Sequence, residues 1–154
     1  MTTDVESPLE TLQHIHAQAR AQGLPHAGGV PPALAWDLHQ AGHALLVDVR
    51  SGEERHFVGH VPGSLHVAWA TGTALTRNPR FLRELETKAG RKQQPLLLLC
   101  RSGKRSAAAA QAATQAGFTQ VYNVLEGFEG EIDAQQQRGH QDGWRHHGLP
   151  WVQD

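Results

Sequence analysis

The sequence is short of cysteine, of net charge and of long apolar runs. Its 154 residues hold one cysteine, Cys100, so neither an internal disulfide nor a CxxC redox pair can form. The 14 basic and 15 acidic residues leave a formal charge of -1, which gives no electrostatic reason to expect nucleic acid or a membrane surface as partner. The longest apolar run, 96–100, cannot cross a bilayer. With no signal-peptide pattern at the N-terminus, we expect a cytoplasmic protein.

Histidine, by contrast, is abundant, with 11 residues. Two close pairs, His14 with His16 and His146 with His147, suggest a metal site at first sight. Neither pair has the ligand spacing of a zinc site. We therefore predict neither a metal nor a cofactor, and interpret the histidines as solvated side chains.

Short apolar runs alternate with helical patterns along most of the chain. The runs are continuous, as in strands that are buried on both faces of a parallel sheet. They are "ALLVDV" (44–49), "LHVAW" (65–69), "LLLL" (96–99) and "VYNVL" (121–125). This alternation predicts an α/β fold with a mostly parallel central sheet of four to five strands flanked by helices.

The two ends of the chain lie outside this alternation. Apolar residues at helical spacing predict an N-terminal helix over 9–22, and "LPHAGGVPP" (24–32) is typical of a linker. We predict an N-terminal helix and linker over 1–30, followed by one domain over 31–154. The segment "GWRHHGLPWVQD" (143–154) predicts a short helix and an apolar tail.

The single cysteine begins the segment "CRSGKRS" (100–106), directly after four leucines. In open parallel sheets, ligands bind where strands end and helices begin. Gly103 permits a backbone curl that points N–H groups inward, and the next helix adds its positive end. Three cations lie in this segment: Arg101, Lys104 and Arg105. Such surroundings favour a thiolate and stabilise an anion bonded to it, so we predict nucleophilic attack on an anionic substrate.

A buried, inert cysteine is the alternative interpretation, and it is a common role for an unpaired cysteine. It accounts for a cysteine after four leucines. It does not account for three cations and a glycine immediately after the cysteine.

These segments resemble the rhodanese (thiosulfate sulfurtransferase) family. "CRSGKRS" looks like its active-site loop, and "LLVDVRSGEERHFVGHVPGSLHV" (45–67) is similar to its strand-and-turn signature. "GFTQVYNVLEGFEG" (117–130) resembles the segment after the active-site helix, and "GWRHHGLPW" (143–151) resembles the C-terminal exit. The resemblance implies a rhodanese-like domain over 31–154 and a single-domain enzyme.

The resemblance also implies a mechanism. The Cys100 thiolate attacks the outer sulfur of thiosulfate, sulfite leaves, and cyanide or a small thiol then takes the sulfur from a cysteine persulfide. The implied substrate-binding residues are Arg101, Ser102, Gly103, Lys104 and Arg105. The implied supporting residues are Asp48, Arg50 and Ser106.

The roles of the supporting residues differ. Asp48 ends a strand, so it either organises the cysteine loop or caps the turn at 51–52. We expect Arg50 to pair with Glu54 or Glu53, and His60 to be structural.

The loop spacing separates the leading function from its rivals. Four residues lie between Cys100 and Arg105, whereas phosphatases related to the family use a longer CX5R loop that cradles a phosphate. A shorter loop suits a smaller reacting atom such as sulfane sulfur, which disfavours a phosphatase or arsenate reductase. A persulfide carrier that delivers sulfur to a protein partner stays open as an alternative.

The segment 128–143 is longer than the glycine-rich link usual in the family. It follows a strand end, so we expect it beside the mouth of the cysteine site. Arg138 and His140 would add positive charge there. The alternative is a solvated spacer of no catalytic consequence.

Overall fold

The computed structural model describes residues 6–153 as an α/β fold. Its helices are α1 (Pro8–Ala21), α2 (Pro32–Gln40), α3 (Gly52–Val58), α4 (Phe81–Ala89) and α5 (Lys104–Gln115). Its strands are β1 (Gly29–Val30), β2 (Leu45–Asp48), β3 (Leu65–His66), β4 (Ala70–Thr71), β5 (Thr76–Arg77), β6 (Leu96–Leu99) and β7 (Val121–Val124). None of the helices within this range is long and apolar enough to span a membrane.

A five-stranded parallel sheet forms the centre, in the order β1-β7-β6-β2-β3. The predicted fold class is thereby confirmed. Strands β2 and β6 pair from Leu45 with Leu96 to Asp48 with Leu99. The residues that follow these two strands, Val49 and Cys100, therefore emerge side by side at one edge of the sheet.

The four leucines of β6 explain why its sequence is uniformly apolar. Successive side chains of a strand point to opposite faces of the sheet, and each face is covered. Leu96 and Leu98 join the apolar cluster that includes Phe81 of α4, whereas Leu97 and Leu99 join the cluster that includes Leu12 of α1. All four are fully buried.

The predicted linker contains a strand, so that part of the interpretation was wrong. Strand β1 lies parallel to β7, with Gly29 opposite Asn123 and Val30 opposite Val124. Asn123 donates its N–H to Gly28 and Leu125 donates to Val30, so β1 satisfies an edge that would otherwise be unpaired. The prolines at 31–32 end the pairing because proline has no N–H to donate.

The strand predicted over 65–69 is shorter in the structure, where β3 covers only Leu65–His66. Beyond it, β4 and β5 form a small antiparallel hairpin that the sequence patterns did not indicate. The predicted short C-terminal helix was also wrong. Residues 144–148 form hydrogen-bonded turns, since Gly143 and Gly148 adopt positive φ angles that interrupt a helix.

Candidate active site

Cys100 directly follows β6, and its side chain is buried. Two groups at the start of the next helix that can donate hydrogen bonds lie beside its sulfur. The N–H of Gly103 lies 3.0 Å from Sγ, and the hydroxyl of Ser106 lies 3.2 Å from Sγ. A sulfur held by an amide and a hydroxyl is placed to carry negative charge.

The segment that follows β7 binds the backbone of the loop on the side away from the sulfur. The carbonyl of Cys100 accepts from the N–H of Phe128 at 2.8 Å, and that of Arg101 accepts from Glu129 and Gly130 at 3.0 and 3.1 Å. Gly103 caps α5 in a left-handed conformation, with φ of 105°. Because the carbonyls are engaged on the far side, the loop can turn its amide groups toward the sulfur, as Gly103 does.

This arrangement requires a glycine at position 127. A Cβ built there would lie 2.4 Å from the carbonyl carbon and oxygen of Arg101 and 2.4 Å from the nitrogen of Ser102. Gly127 also has φ of 69°. Both the close approach and the backbone angle exclude ordinary side chains.

The three cations of the loop are held differently. Arg105 is half-buried and forms a two-pronged ion pair with Glu54 of α3, at 2.7 and 2.8 Å. Lys104 is exposed, and within residues 6–153 it forms no ion pair. Arg101 is half-buried, and its Nε is buried without a hydrogen-bond partner among the described residues.

Glu54 is ionised in this pair. Burial favours a higher pKa for its carboxyl, but hydrogen bonds from Arg105 and from the backbone of Ser51 outweigh that effect and lower the pKa to about 2. The hydrogen bond to Glu54 raises the pKa of Arg105. The guanidinium of Arg105 is therefore charged at neutral pH, and Glu54 of α3 fixes its position.

Asp48 and Arg50 form a fully buried pair, which corrects the expected pairing of Arg50 with Glu54 or Glu53. Nη2 of Arg50 lies 2.7 Å from Oδ2 of Asp48 and 2.7 Å from the carbonyl oxygen of Gly59. The backbone N–H of Arg50 also donates to Asp48, at 3.0 Å, so both the main chain and the side chain of Arg50 bind this carboxylate.

Asp48 does not cap the turn at 51–52, so that alternative was wrong. Ser51 itself caps α3 by accepting from the N–H of Glu54. Asp48 also accepts from Arg55, and among the described residues no hydrogen bond joins it to the cysteine loop. Its connection to the site runs through the fixed position of α3, which carries Glu54.

Sequence patterns missed Asn123, which lies in the middle of β7. Its Oδ1 is within hydrogen-bond distance of the Ser106 hydroxyl that faces Cys100. A signal was present, because asparagine is uncommon in strands and "VYNVL" is otherwise apolar with one aromatic. A buried polar side chain in such a strand needs a partner.

The remaining predicted residues lie close to the loop or apart from it. Ser102 is half-buried in the loop. His60 pairs through its backbone with Val152. The segment 128–143 contacts the loop through the backbone N–H groups of its first three residues. Arg138 donates to the carbonyl of Gly130 at 2.7 Å, and His140 is exposed.

The histidine pairs have other partners. His14 lies 2.6 Å from a carboxylate oxygen of Glu6, and His147 lies 2.7 Å from one of Glu126. Over the range 6–153, no three His, Cys, Asp or Glu side chains cluster as metal ligands.

Two clefts on the described surface lie apart from the sulfur. One, of about 960 Å³, is lined by residues that include His66, Arg80 and Arg83, and the other, of about 440 Å³, by residues that include His16 and Phe118. Volume alone would favour the first cleft as the reactive site. Cys100 lines neither cleft, and a reactant as small as a single sulfur atom needs no deep pocket.

Comparison with known proteins gives concordant matches. The family model described as "Rhodanese-like domain" matches residues 31–132. The senescence-associated protein DIN1 of Raphanus sativus is 35% identical over 101 residues, which are 64% of this chain and 54% of that protein. This chain thus spans about half the length of that relative.

Two further matches cover a larger share of the matched protein's own length. Thiosulfate sulfurtransferase 16 of Arabidopsis thaliana is 31% identical over 123 residues, 79% of this chain and 89% of that protein. The crystal structure of Rv0390 from M. tuberculosis matches with a TM-score of 0.74 and 46% identity, covering 84% of this chain and 99% of that one.

Proposed function

Because the chain belongs to the rhodanese-like domain family, we propose that it is a sulfurtransferase that moves sulfane sulfur from thiosulfate to a thiophilic acceptor through a persulfide on Cys100. One observation carries the proposal. The sulfur of Cys100 lies at the carboxyl end of a central strand, beside the Gly103 amide of a basic four-residue loop and the Ser106 hydroxyl of the helix that follows. A relative named as a thiosulfate sulfurtransferase supports the choice of donor.

In the first half-reaction, the Cys100 thiolate attacks the outer sulfur of thiosulfate. A bond forms between Sγ and that sulfur, and the bond to the sulfonate sulfur breaks. The electron pair of the broken bond leaves with sulfite. Arg101 and Lys104 attract the sulfonate, and the loop amides stabilise the charge on the new terminal sulfur.

In the second half-reaction, a thiophilic acceptor removes the terminal sulfur. Cyanide attacks that sulfur, the S–S bond breaks, and thiocyanate leaves while the electron pair returns to Sγ as thiolate. Because the chain has one cysteine, the persulfide cannot resolve to a disulfide within the chain.

Intact mass after incubation with thiosulfate tests the proposal. We expect a gain of about 32 Da, one sulfur atom on the activated thiol, which cyanide reverses. The Cys100→Ser variant serves as control and should show no gain. A wild-type protein that gains no mass under these conditions contradicts the proposal.

A persulfide carrier serving a protein acceptor would form the same adduct. It differs in turnover, which should be slow with cyanide and fast with a purified protein acceptor. A phosphatase would hydrolyse an aryl phosphate in a reaction that Cys100→Ser abolishes. The four residues between Cys100 and Arg105 weigh against that activity, because a smaller loop has fewer amides to surround a phosphate.

A further inference from the structure

Ser106 and Asn123 form a hydrogen-bonded chain from the middle of β7 to the sulfur of Cys100. The Ser106 hydroxyl lies 3.2 Å from Sγ and within hydrogen-bond distance of Oδ1 of Asn123. Both polar side chains are buried, with exposures of 0% and 8%. Protein groups must therefore satisfy most of their hydrogen-bonding capacity.

The serine hydroxyl has one proton for its two contacts. When Asn123 presents its oxygen, Ser106 donates to Oδ1, and a lone pair faces the sulfur. That arrangement suits a neutral thiol, whose S–H donates to the serine oxygen. When the amide is turned by 180°, Nδ2 donates to Ser106, and Ser106 donates to Sγ. That arrangement suits a thiolate or a persulfide anion.

The amide of Asn123 can adopt both orientations in its present position. Among residues 6–153, Nδ2 has no hydrogen-bond partner that would fix the amide one way. A Cβ added at Gly103 would lie 3.9 Å from Nδ2, so this atom faces the loop glycine. The backbone of Asn123 is fixed, because its N–H donates to Gly28 at 2.9 Å and the residue pairs with Leu98.

We propose that Asn123 is a positioning residue for the sulfur chemistry, one that turns its amide to direct the Ser106 proton onto Sγ when the sulfur is anionic. The proposal rests on the proposed function where it concerns the persulfide. For the thiolate it requires no sulfur donor. Asparagine suits this task because it carries a donor and an acceptor at equivalent places, whereas aspartate can only accept when ionised and leucine can do neither.

Other charged groups also act on the sulfur and must be kept constant in a test. Arg105 of α5 interacts electrostatically with Cys100, with Glu54 of α3 and with Asp48 at the end of β2. Asp48 in turn pairs with Arg50 and Arg55. Asn123→Leu and Ser106→Ala leave all of these groups in place, so both variants isolate the neutral hydrogen-bonded chain.

The test is the pH dependence of alkylation by iodoacetamide, which reports on one site because Cys100 is the sole cysteine. Asn123→Leu should raise the midpoint of the pH–rate profile by about one unit, the scale of a hydrogen bond to a charged group. Ser106→Ala should raise it by a similar amount. The double variant should rise no further than Ser106→Ala, because Asn123 acts only through the serine.

Thr114→Val is the matched control. It removes from the same helix a hydroxyl that donates to the carbonyl of Ala110 at 2.8 Å, and it should leave the midpoint of the pH–rate profile unchanged. If Asn123→Leu does not fold, Asn123→Asp replaces it. Asn123→Asp should raise the midpoint of the pH–rate profile more when Ser106 is present than when it is replaced in the Ser106→Ala variant.

Equal shifts in both backgrounds, or no shift in either, overturn the proposal. Alkylation needs no thiosulfate. A failure of persulfide formation and a failure of this proposal are therefore separate results.

Discussion

At the residue scale, the site combines one fixed cation with two that are less constrained. Glu54 holds Arg105 through both terminal nitrogens of its guanidinium, Nη1 and Nη2. Lys104 is exposed and Arg101 is half-buried, and neither donates a side-chain hydrogen bond within residues 6–153. Fixing Arg105 shapes the loop, whereas the other two cations are available to a substrate anion.

Neutralising the less constrained cations should therefore weaken binding more than turnover. We expect Arg101→Ala and Lys104→Ala each to raise KM for thiosulfate about fivefold, on the scale of exposed charge interactions, with kcat nearly unchanged. Arg91→Ala is the control, because Arg91 is exposed and precedes β6 at the opposite edge of the sheet. Steady-state kinetics with thiosulfate and cyanide measure the effect, and a lower kcat at constant KM contradicts this division of roles.

The ion pair of Glu54 predicts a specific acid sensitivity. Its pKa in the folded protein is lowered from 4.5 to about 2, so the pair contributes stability that is fully present above about pH 4.5. Because solvent screens this partly exposed pair, the stability is about 1–2 kcal/mol, and it is lost as the pH falls toward 2. Glu54→Gln should therefore destabilise the protein at pH 7, and its deficit relative to wild type should shrink between pH 4.5 and 2.

Denaturant unfolding at a series of pH values measures this deficit. Glu53→Gln is the matched control, since Glu53 is the exposed neighbour on α3, and its effect should be small throughout. A Glu54→Gln deficit that stays constant across the acid range contradicts the assigned role.

At the scale of elements, the cysteine loop depends on the segment after β7 as much as on β6 and α5. Three N–H groups from 128–130 bind the carbonyls of Cys100 and Arg101. Gly127 makes this contact possible by its close approach to Arg101. The loop that carries the Gly103 amide to the sulfur is thus positioned in part by the backbone of 128–130.

Gly127→Ala should disturb the loop beyond the cost of its backbone angle. A second glycine, Gly139, has a comparable φ of 86° but nothing within 4 Å of its Cβ position, so Gly139→Ala measures strain alone, about 1 kcal/mol. We expect Gly127→Ala to cost more in the free energy of unfolding and to lower kcat at least tenfold. Equal losses in the two variants would show that the contact with Arg101 is unimportant.

Elements with a strong local pattern could be predicted, and those stabilised only by distant partners could not. The leucines of β6 and the glycine-containing loop after Cys100 identify their structures locally. Strand β1 contains two residues and forms only because β7 offers an open edge. The partner of Arg50 depended on a turn of the chain after β2, and the role of Asn123 depended on the register between β7 and α5, neither of which composition or spacing specifies.

At the scale of the whole molecule, the N-terminal helix and the sheet share one core. The family model begins at residue 31, yet Leu12 of α1 is only 2% exposed. It belongs to the same apolar cluster as Leu46, Leu97 and Trp144. We therefore propose that residues 6–30 act as an integral cover for one face of the sheet, although they precede the matched region.

Leu12→Ala tests this integration against Leu9→Ala, a matched change in the same helix. Leu12 is buried, whereas Leu9 is 37% exposed, so truncation at 12 leaves a cavity and truncation at 9 does not. We expect Leu12→Ala to lower the free energy of unfolding by about 2–5 kcal/mol and Leu9→Ala by less than about 1 kcal/mol. Denaturant unfolding at neutral pH measures both, and a single transition in each variant would show that α1 unfolds with the sheet. Similar small losses at the two positions would instead make α1 a peripheral attachment, because removing a leucine from a shared core cannot be that cheap.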